Sequence, residues 1–187
     1  QLADVTPART VPTAISPEGA VIWDSLAIAE EVATRHPEAG LWPEDPAARA
    51  TARALTAEMH SGFGTLRNDC PMNLRCAYRD VPISDDLRAD LARLEMVWAH
   101  ARSAHGGDGP WLCGSYSIAD VFFAPVATRI ATYGLPVSEP AMAYVQAHLA
   151  DPVFRTWRRR ALTEGPDLPW YARDYPQVDW PGPSETG

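Results

Sequence analysis

Residues 117–133 read Ser117-Ile118-Ala119-Asp120-Val121-Phe122-Phe123-Ala124-Pro125-Val126-Ala127-Thr128-Arg129-Ile130-Ala131-Thr132-Tyr133, and this stretch decides the fold. Wound as a helix, it is apolar nearly all round, and a helix of that kind belongs in the middle of a domain. Ser117 stands at the N-cap and Asp120 at the third helical position, where the two can satisfy free amides of the first turn. That makes the pair structural. A Ser/Asp catalytic dyad would need a His base, and none lies near it in the sequence. Pro125 removes one internal hydrogen bond and predicts a kink.

Outward from this centre the pattern stays helical on both sides. Residues 47–67 carry Ala48, Ala52, Leu55, Met59, Phe63 and Leu66 at spacings of 4 and 3, and a later stretch repeats them with Leu87, Leu91, Leu94, Trp98 and Ala101. Both are one-sided stripes of the type that packs into a bundle. Residues 140–150 and 152–162 predict two shorter helices, each opening on Pro, so four or five helices are expected in all. The tail, residues 166–187, combines Pro with Trp170, Tyr171, Tyr175 and Trp180 and is expected to lie extended across the bundle. The start of the chain is different. Residues 11–15 and 20–24 are β-type runs around the turn Pro17-Glu18-Gly19, and a helical pattern follows from Ser25 to His36. The organisation expected is an α/β piece over residues 1–36, a Pro-rich linker at 37–46, an all-α domain at 47–165 and the tail.

Composition excludes several functions. With 16 basic and 24 acidic residues the net charge is −8, and every basic residue is Arg. Bulk electrostatics therefore argue against a nucleic acid or an anionic membrane as partner. No run approaches the roughly 18 apolar residues of a membrane helix. Cys70, Cys76 and Cys113 form no CxxC, and the five His residues lack metal-ligand spacing, so neither a disulfide framework nor a metal site is expected. Gly106-Gly107-Asp108-Gly109 lacks the Lys-Ser of a phosphate cradle, and Arg158-Arg159-Arg160 closes a helix where cations suit the dipole. A soluble, cytoplasmic protein is expected.

Three local patterns in order now become legible together. They are Val11-Pro12 opening a β-run, Asp24-Ser25-Leu26-Ala27-Ile28 at a strand-to-helix junction followed by Leu41-Trp42-Pro43, and Trp111-Leu112-Cys113-Gly114 before Ser117-Ile118-Ala119-Asp120. With this order and context the chain resembles the glutathione S-transferase superfamily, in a bacterial-type member, over about residues 5–165. The resemblance implies a thioredoxin-like α/β piece followed by an all-α bundle. It implies an enzyme that binds glutathione and conjugates or isomerises a small hydrophobic electrophile, or alternatively a non-catalytic relative serving binding or protein association. It also implies a homodimer, with Ala48 and Ala52 permitting close approach and Arg49 and Arg53 pairing across the axis. The family's domain runs β-α-β-α-β-β-α, and this sequence matches from just before the third strand, without the first β-α-β. The catalytic Tyr, Ser or Cys of the family belongs to the unmatched part, so no residue is named as catalytic.

The resemblance assigns roles to a few residues. Val11, before a cis Pro12, would pair its backbone with the cysteinyl part of glutathione as a strand edge does. Thr10 stands where the family often has a basic residue, which leaves Arg9 to reach the glycyl carboxylate. Ser25 would hold the γ-glutamyl carboxylate at a helix start and Asp24 the neighbouring ammonium, although Ser25 as a plain N-cap uses the same geometry. The electrophile would lie against the first bundle helix, near Met59, His60, Phe63 and Arg67, with Gly62 and Gly64 between them. Met59 and Phe63 also belong to the apolar stripe, while His60 and Arg67 are off it.

Overall fold

The computed structural model describes residues 3–184. After a 3-10 turn at Ala3–Val5, β1 (Thr13–Ile15) and β2 (Val21–Trp23) pair antiparallel, Thr13 opposite Trp23 and Ile15 opposite Val21. The turn between them closes where the Ser16 N–H donates to the Ala20 carbonyl, with Gly19 at φ 88, a value glycine reaches without steric cost. The helix α1 (Ser25–Arg35) returns over the hairpin, and Arg35 grips Glu18 through two bonds of 2.9 and 2.7 Å.

The linker then docks on the helix that the sequence placed at the centre. The Leu41 carbonyl accepts from the Ile118 N–H at 3.0 Å, satisfying one of the free amides at the start of α5 (Ile118–Thr132). Beside it, Arg53 pairs with Glu30 at 3.1 Å and lies over the Trp42 ring, tying α1, the linker and α2 (Pro46–Ser61) into one knot.

Among the described residues six helices follow the linker: α2, α3 (Gly64–Asp69), α4 (Asp85–His105), α5, α6 (Glu139–Ala150) and α7 (Pro152–Thr163). In α4 the whole stripe Leu87, Leu91, Leu94, Trp98 and Ala101 is buried. Each such Leu contributes about 1.5–3 kcal/mol by leaving water. Trp98 meets Phe123 of α5 edge-on at 5.5 Å, and α5 packs against α2 and α6. Asp120, fully buried, gathers four donors: the amides of Leu112 and Ser117, the Ser117 hydroxyl and the Tyr144 hydroxyl, at 2.9–3.2 Å. Its partners make it a junction of the bundle, as the capping reading required. Burial raises its pKa nonetheless.

Three expectations are corrected. The helix expected over residues 47–67 is broken, which makes six helices instead of four or five. Gly62 ends α2, where a Cβ would stand 2.7 Å from the Glu58 carbonyl oxygen, and Phe63 takes a left-handed φ of 55. No Phe63 side chain can cap α3, so Asp90 of α4 accepts from the Leu66 N–H at 2.9 Å instead. Second, Ala48 and Ala52 are buried inside this chain, Arg49 donates to the Pro43 and Glu44 carbonyls, and Arg53 is spent on Glu30. The close approach expected of Ala48 and Ala52 is thus made within this chain, while the Arg53 side chain stays 50% exposed. Third, the tail is not purely extended. It makes a 3-10 turn at Pro169–Tyr171, and β4 (Gln177–Val178) then pairs antiparallel with β3 (Ala77–Tyr78). Tyr175 packs on Tyr78, Trp180 lies 3.9 Å from the Arg158 guanidinium, and Arg75 donates to the Ala161, Glu164 and Gly165 carbonyls.

Candidate functional site

A cavity of about 320 Å³ opens where α1 meets the bundle. Ser25, Met59, His60, Arg67, Val121, Phe122, Pro125 and Arg129 line it.

At its α1 end, the first residue of the helix is Ser25 and the cap is Asp24. One Asp24 carboxylate oxygen accepts from the Leu26 N–H at 2.9 Å and the Ala27 N–H at 3.5 Å. The other oxygen meets His60 Nε2 at 2.9 Å. The sequence left Ser25 open as cap or ligand group. Here the cap is taken, and the Ser25 hydroxyl makes no hydrogen bond within the described residues. Asp24 is held at φ 82 and ψ 128, a conformation costing on the order of 1–3 kcal/mol for a residue with a Cβ. Strain of this size persists where the surroundings impose it, and such positions cluster at ligand clamps.

The Val11–Pro12 peptide is cis, as the resemblance implied, and Val11 is 73% exposed; neither residue lines the cavity. Thr6–Pro7 is a second cis bond. Arg9 is exposed and does not line the cavity.

At the bundle end, three of the four residues expected near the second substrate line the cavity: Met59, His60 and Arg67. Phe63 does not. The break at Gly62 turns its ring into the core, where it is 6% exposed. The side of α5 facing the cavity was missed. Val121, half exposed, and Phe122, edge-on to His60 at 6.2 Å, form an apolar wall. Pro125 carries no N–H, so the Val121 carbonyl lacks its usual helical partner at this wall. Arg129 was missed as well, although a single Arg in an otherwise apolar helix is itself a signal.

Cys70 and Cys113 are buried, and burial pushes their thiols up to about 12 and 11, so neither is a thiolate near neutral pH. Among the described residues no group of three or more His, Cys, Asp or Glu side chains is gathered as a metal ion requires. No described helix is long and apolar enough to cross a membrane.

A thioredoxin-like piece leading into an all-α bundle, with a cavity at their junction, defines the glutathione transferase fold, and this chain has that fold. A glutathione transferase homologue from Burkholderia, solved with bound glutathione, superposes with a TM-score of 0.62 at 24% identity, over 87% of this chain and 78% of that one. The glutathione transferase of Methylococcus capsulatus gives 0.59 at 21% identity, covering 84% and 76%. The maleylpyruvate isomerase of Pseudomonas aeruginosa gives 0.52 at 21%, covering 88% and 83%. In sequence, 68 residues are 43% identical to a Caenorhabditis elegans protein named "Probable maleylacetoacetate isomerase", a match of 36% of this chain. That match spans 31% of the relative's length. No protein-family model matches the sequence.

Proposed function

We propose that the cavity at the N-terminus of α1 holds glutathione and presents its thiol to a small electrophile, so that the chain serves a glutathione-dependent transferase or isomerase. The observation that carries this is at Ser25: an unengaged hydroxyl on the first residue of a helix, lining a cavity beside a strained Asp24. A helix start attracts a carboxylate through its free amides and positive dipole end, which suits the γ-glutamyl group. The Asp24 carboxylate, 42% exposed along its side chain, faces the adjoining ammonium. The Val11 backbone offers strand-like pairing to the cysteinyl unit. Arg9, exposed at the surface, is assigned the glycyl end. A hydroxyl or thiol that polarises the sulfur is not assigned, and the electrophile rests against Met59, His60 and Arg67. The reaction class follows the names of the relatives: a glutathione transferase on one hand, isomerases of maleyl compounds on the other. Work in the cytoplasm as a homodimer belongs to the same reading.

Calorimetric titration of glutathione tests it. Ser25→Ala removes one charge-assisted hydrogen bond, so affinity falls roughly tenfold to a hundredfold. The melting temperature holds, because the cap is Asp24. A native protein that takes up no glutathione, or a Ser25→Ala variant binding equally well, overturns the reading.

A further inference from the structure

The cavity has a second polar end, made by two guanidinium groups on the bundle side. Arg67 of α3 donates once within the protein, from Nη1 to the His60 carbonyl at 3.0 Å. Arg129 of α5 donates from Nε to the Cys70 carbonyl at 2.8 Å and from Nη1 to the Pro125 carbonyl at 3.2 Å. Those bonds fix both planes and leave Nε and Nη2 of Arg67 and Nη2 of Arg129 unspent. Among the described residues neither guanidinium has a carboxylate partner, in a chain of net charge −8. By contrast Arg35, Arg53, Arg75 and Arg93 all have one. Burial, and then the charge of Arg67 beside it, presses the Arg129 pKa below its ordinary value. Two neighbouring cations on one cavity wall repel each other unless an anion lies between them. Arg is also the side chain best shaped to meet a carboxylate with paired N–H groups. Besides Ser25, the two guanidinium groups and His60, which bonds Asp24, the lining is apolar: Met59, Val121, Phe122 and Pro125.

We infer that Arg67 and Arg129 form a carboxylate-binding pair, and that the electrophile taken by this cavity has an apolar body carrying a carboxylate at the end away from the thiol. The inference rests on glutathione occupying the α1 end, as proposed above, and it narrows the small hydrophobic electrophile expected from the sequence.

The test is calorimetric titration of the full chain with glutathione, S-benzylglutathione and S-(4-carboxybenzyl)glutathione, repeated for Arg67→Gln and Arg129→Gln. The native protein binds the carboxybenzyl conjugate at least about tenfold more tightly than the benzyl one, and each variant loses most of that preference. Glutathione itself binds all three proteins within about twofold. Arg129 also braces the Cys70 and Pro125 carbonyls, so should Arg129→Gln fail to fold, Arg67→Gln, with one bond at the surface, decides the matter. Equal affinity of the native protein for both conjugates overturns the inference. So does a fall in glutathione affinity itself in the variants, which would place the peptide's own glycyl carboxylate on the pair and leave the glutathione reading standing. A native protein that binds none of the three defeats the glutathione reading. Terephthalate titrated alone then decides the pair, supporting it if it binds native protein but not Arg67→Gln, and overturning it if it does not bind.

Discussion

Asp24 does three things with one side chain and one backbone setting. It caps α1, meets His60 and sits at φ 82, so its replacements separate the contributions. Asp24→Gly relieves backbone strain on the order of 1–3 kcal/mol, and gives up the His60 contact and the side-chain cap, the latter at a cost of only about a few tenths of a kcal/mol. The melting temperature of Asp24→Gly is therefore expected within a few degrees of the native value, while glutathione affinity measured by calorimetry falls about tenfold or more. A melt far below native would mean that the φ 82 conformation carries no strain to relieve. At this scale the sequence was informative wherever chemistry is local. The helix start at Asp24 and Ser25 and the cis bond before Pro12 were legible because a strand-to-helix junction and an X-Pro pair are written in adjacent residues. Phe63 was not. Its place in the 4-3 stripe is correct for the core, but the break at Gly62 that removes it from the cavity depends on where Glu58 puts its carbonyl oxygen.

Elements obey the same distinction between local and distant causes. The stripes of α2 and α4 and the all-round apolarity of α5 predicted a bundle with α5 at its centre, and side-chain periodicity alone is sufficient for that. The angle of α1 to the bundle is set by the Glu30–Trp42–Arg53 knot and by the bond from Ile118 to Leu41, contacts between segments that share no pattern. Arg129 was illegible as a cavity residue because which side of an all-apolar helix faces a gap depends on its neighbours. Gly62→Ala tests the break between α2 and α3. Its Cβ would stand 2.7 Å from a backbone oxygen that no rotamer change can move, so α2 must unwind or α3 shift. A loss of about 1–3 kcal/mol in urea unfolding is expected. Alanine at Gly64, whose Cβ would meet nothing within 4 Å, should cost far less in the same assay.

The molecule as a whole carries a pH dependence centred on His148. The ring is fully buried against Trp111, Tyr116 and Tyr144, and neither nitrogen has a hydrogen-bond partner. Burial pushes its pKa from 6.5 down to about 3. The unfolded chain therefore binds a proton near pH 6.5 that the folded chain refuses, and stability present above that pH drains away as pH falls toward 3. The slope approaches 1.4 kcal/mol per pH unit. Asp120, whose pKa burial raises, acts in the opposite direction in acid and offsets part of it. His148→Leu is expected to flatten the dependence between pH 6.5 and 5 in denaturant titrations, because it removes the imidazole that the unfolded chain protonates there and the folded chain does not. An unchanged slope would place the acid sensitivity elsewhere.

One contact also orders events in time. The last carbonyls of α7 are closed by Arg75, which stands 86 residues before Ala161 and 90 before Gly165. On a ribosome, the loop holding Arg75 is out and waiting long before the acceptors that fix it have been made. Residues 71–80 also await β4 for the pairing of β3, so the earliest helices must hold their shape without this latch. The tail is thus the segment that closes this loop, and a nascent polypeptide stalled before residue 160 should present the loop to a protease that the chain carrying residues 161–180 resists.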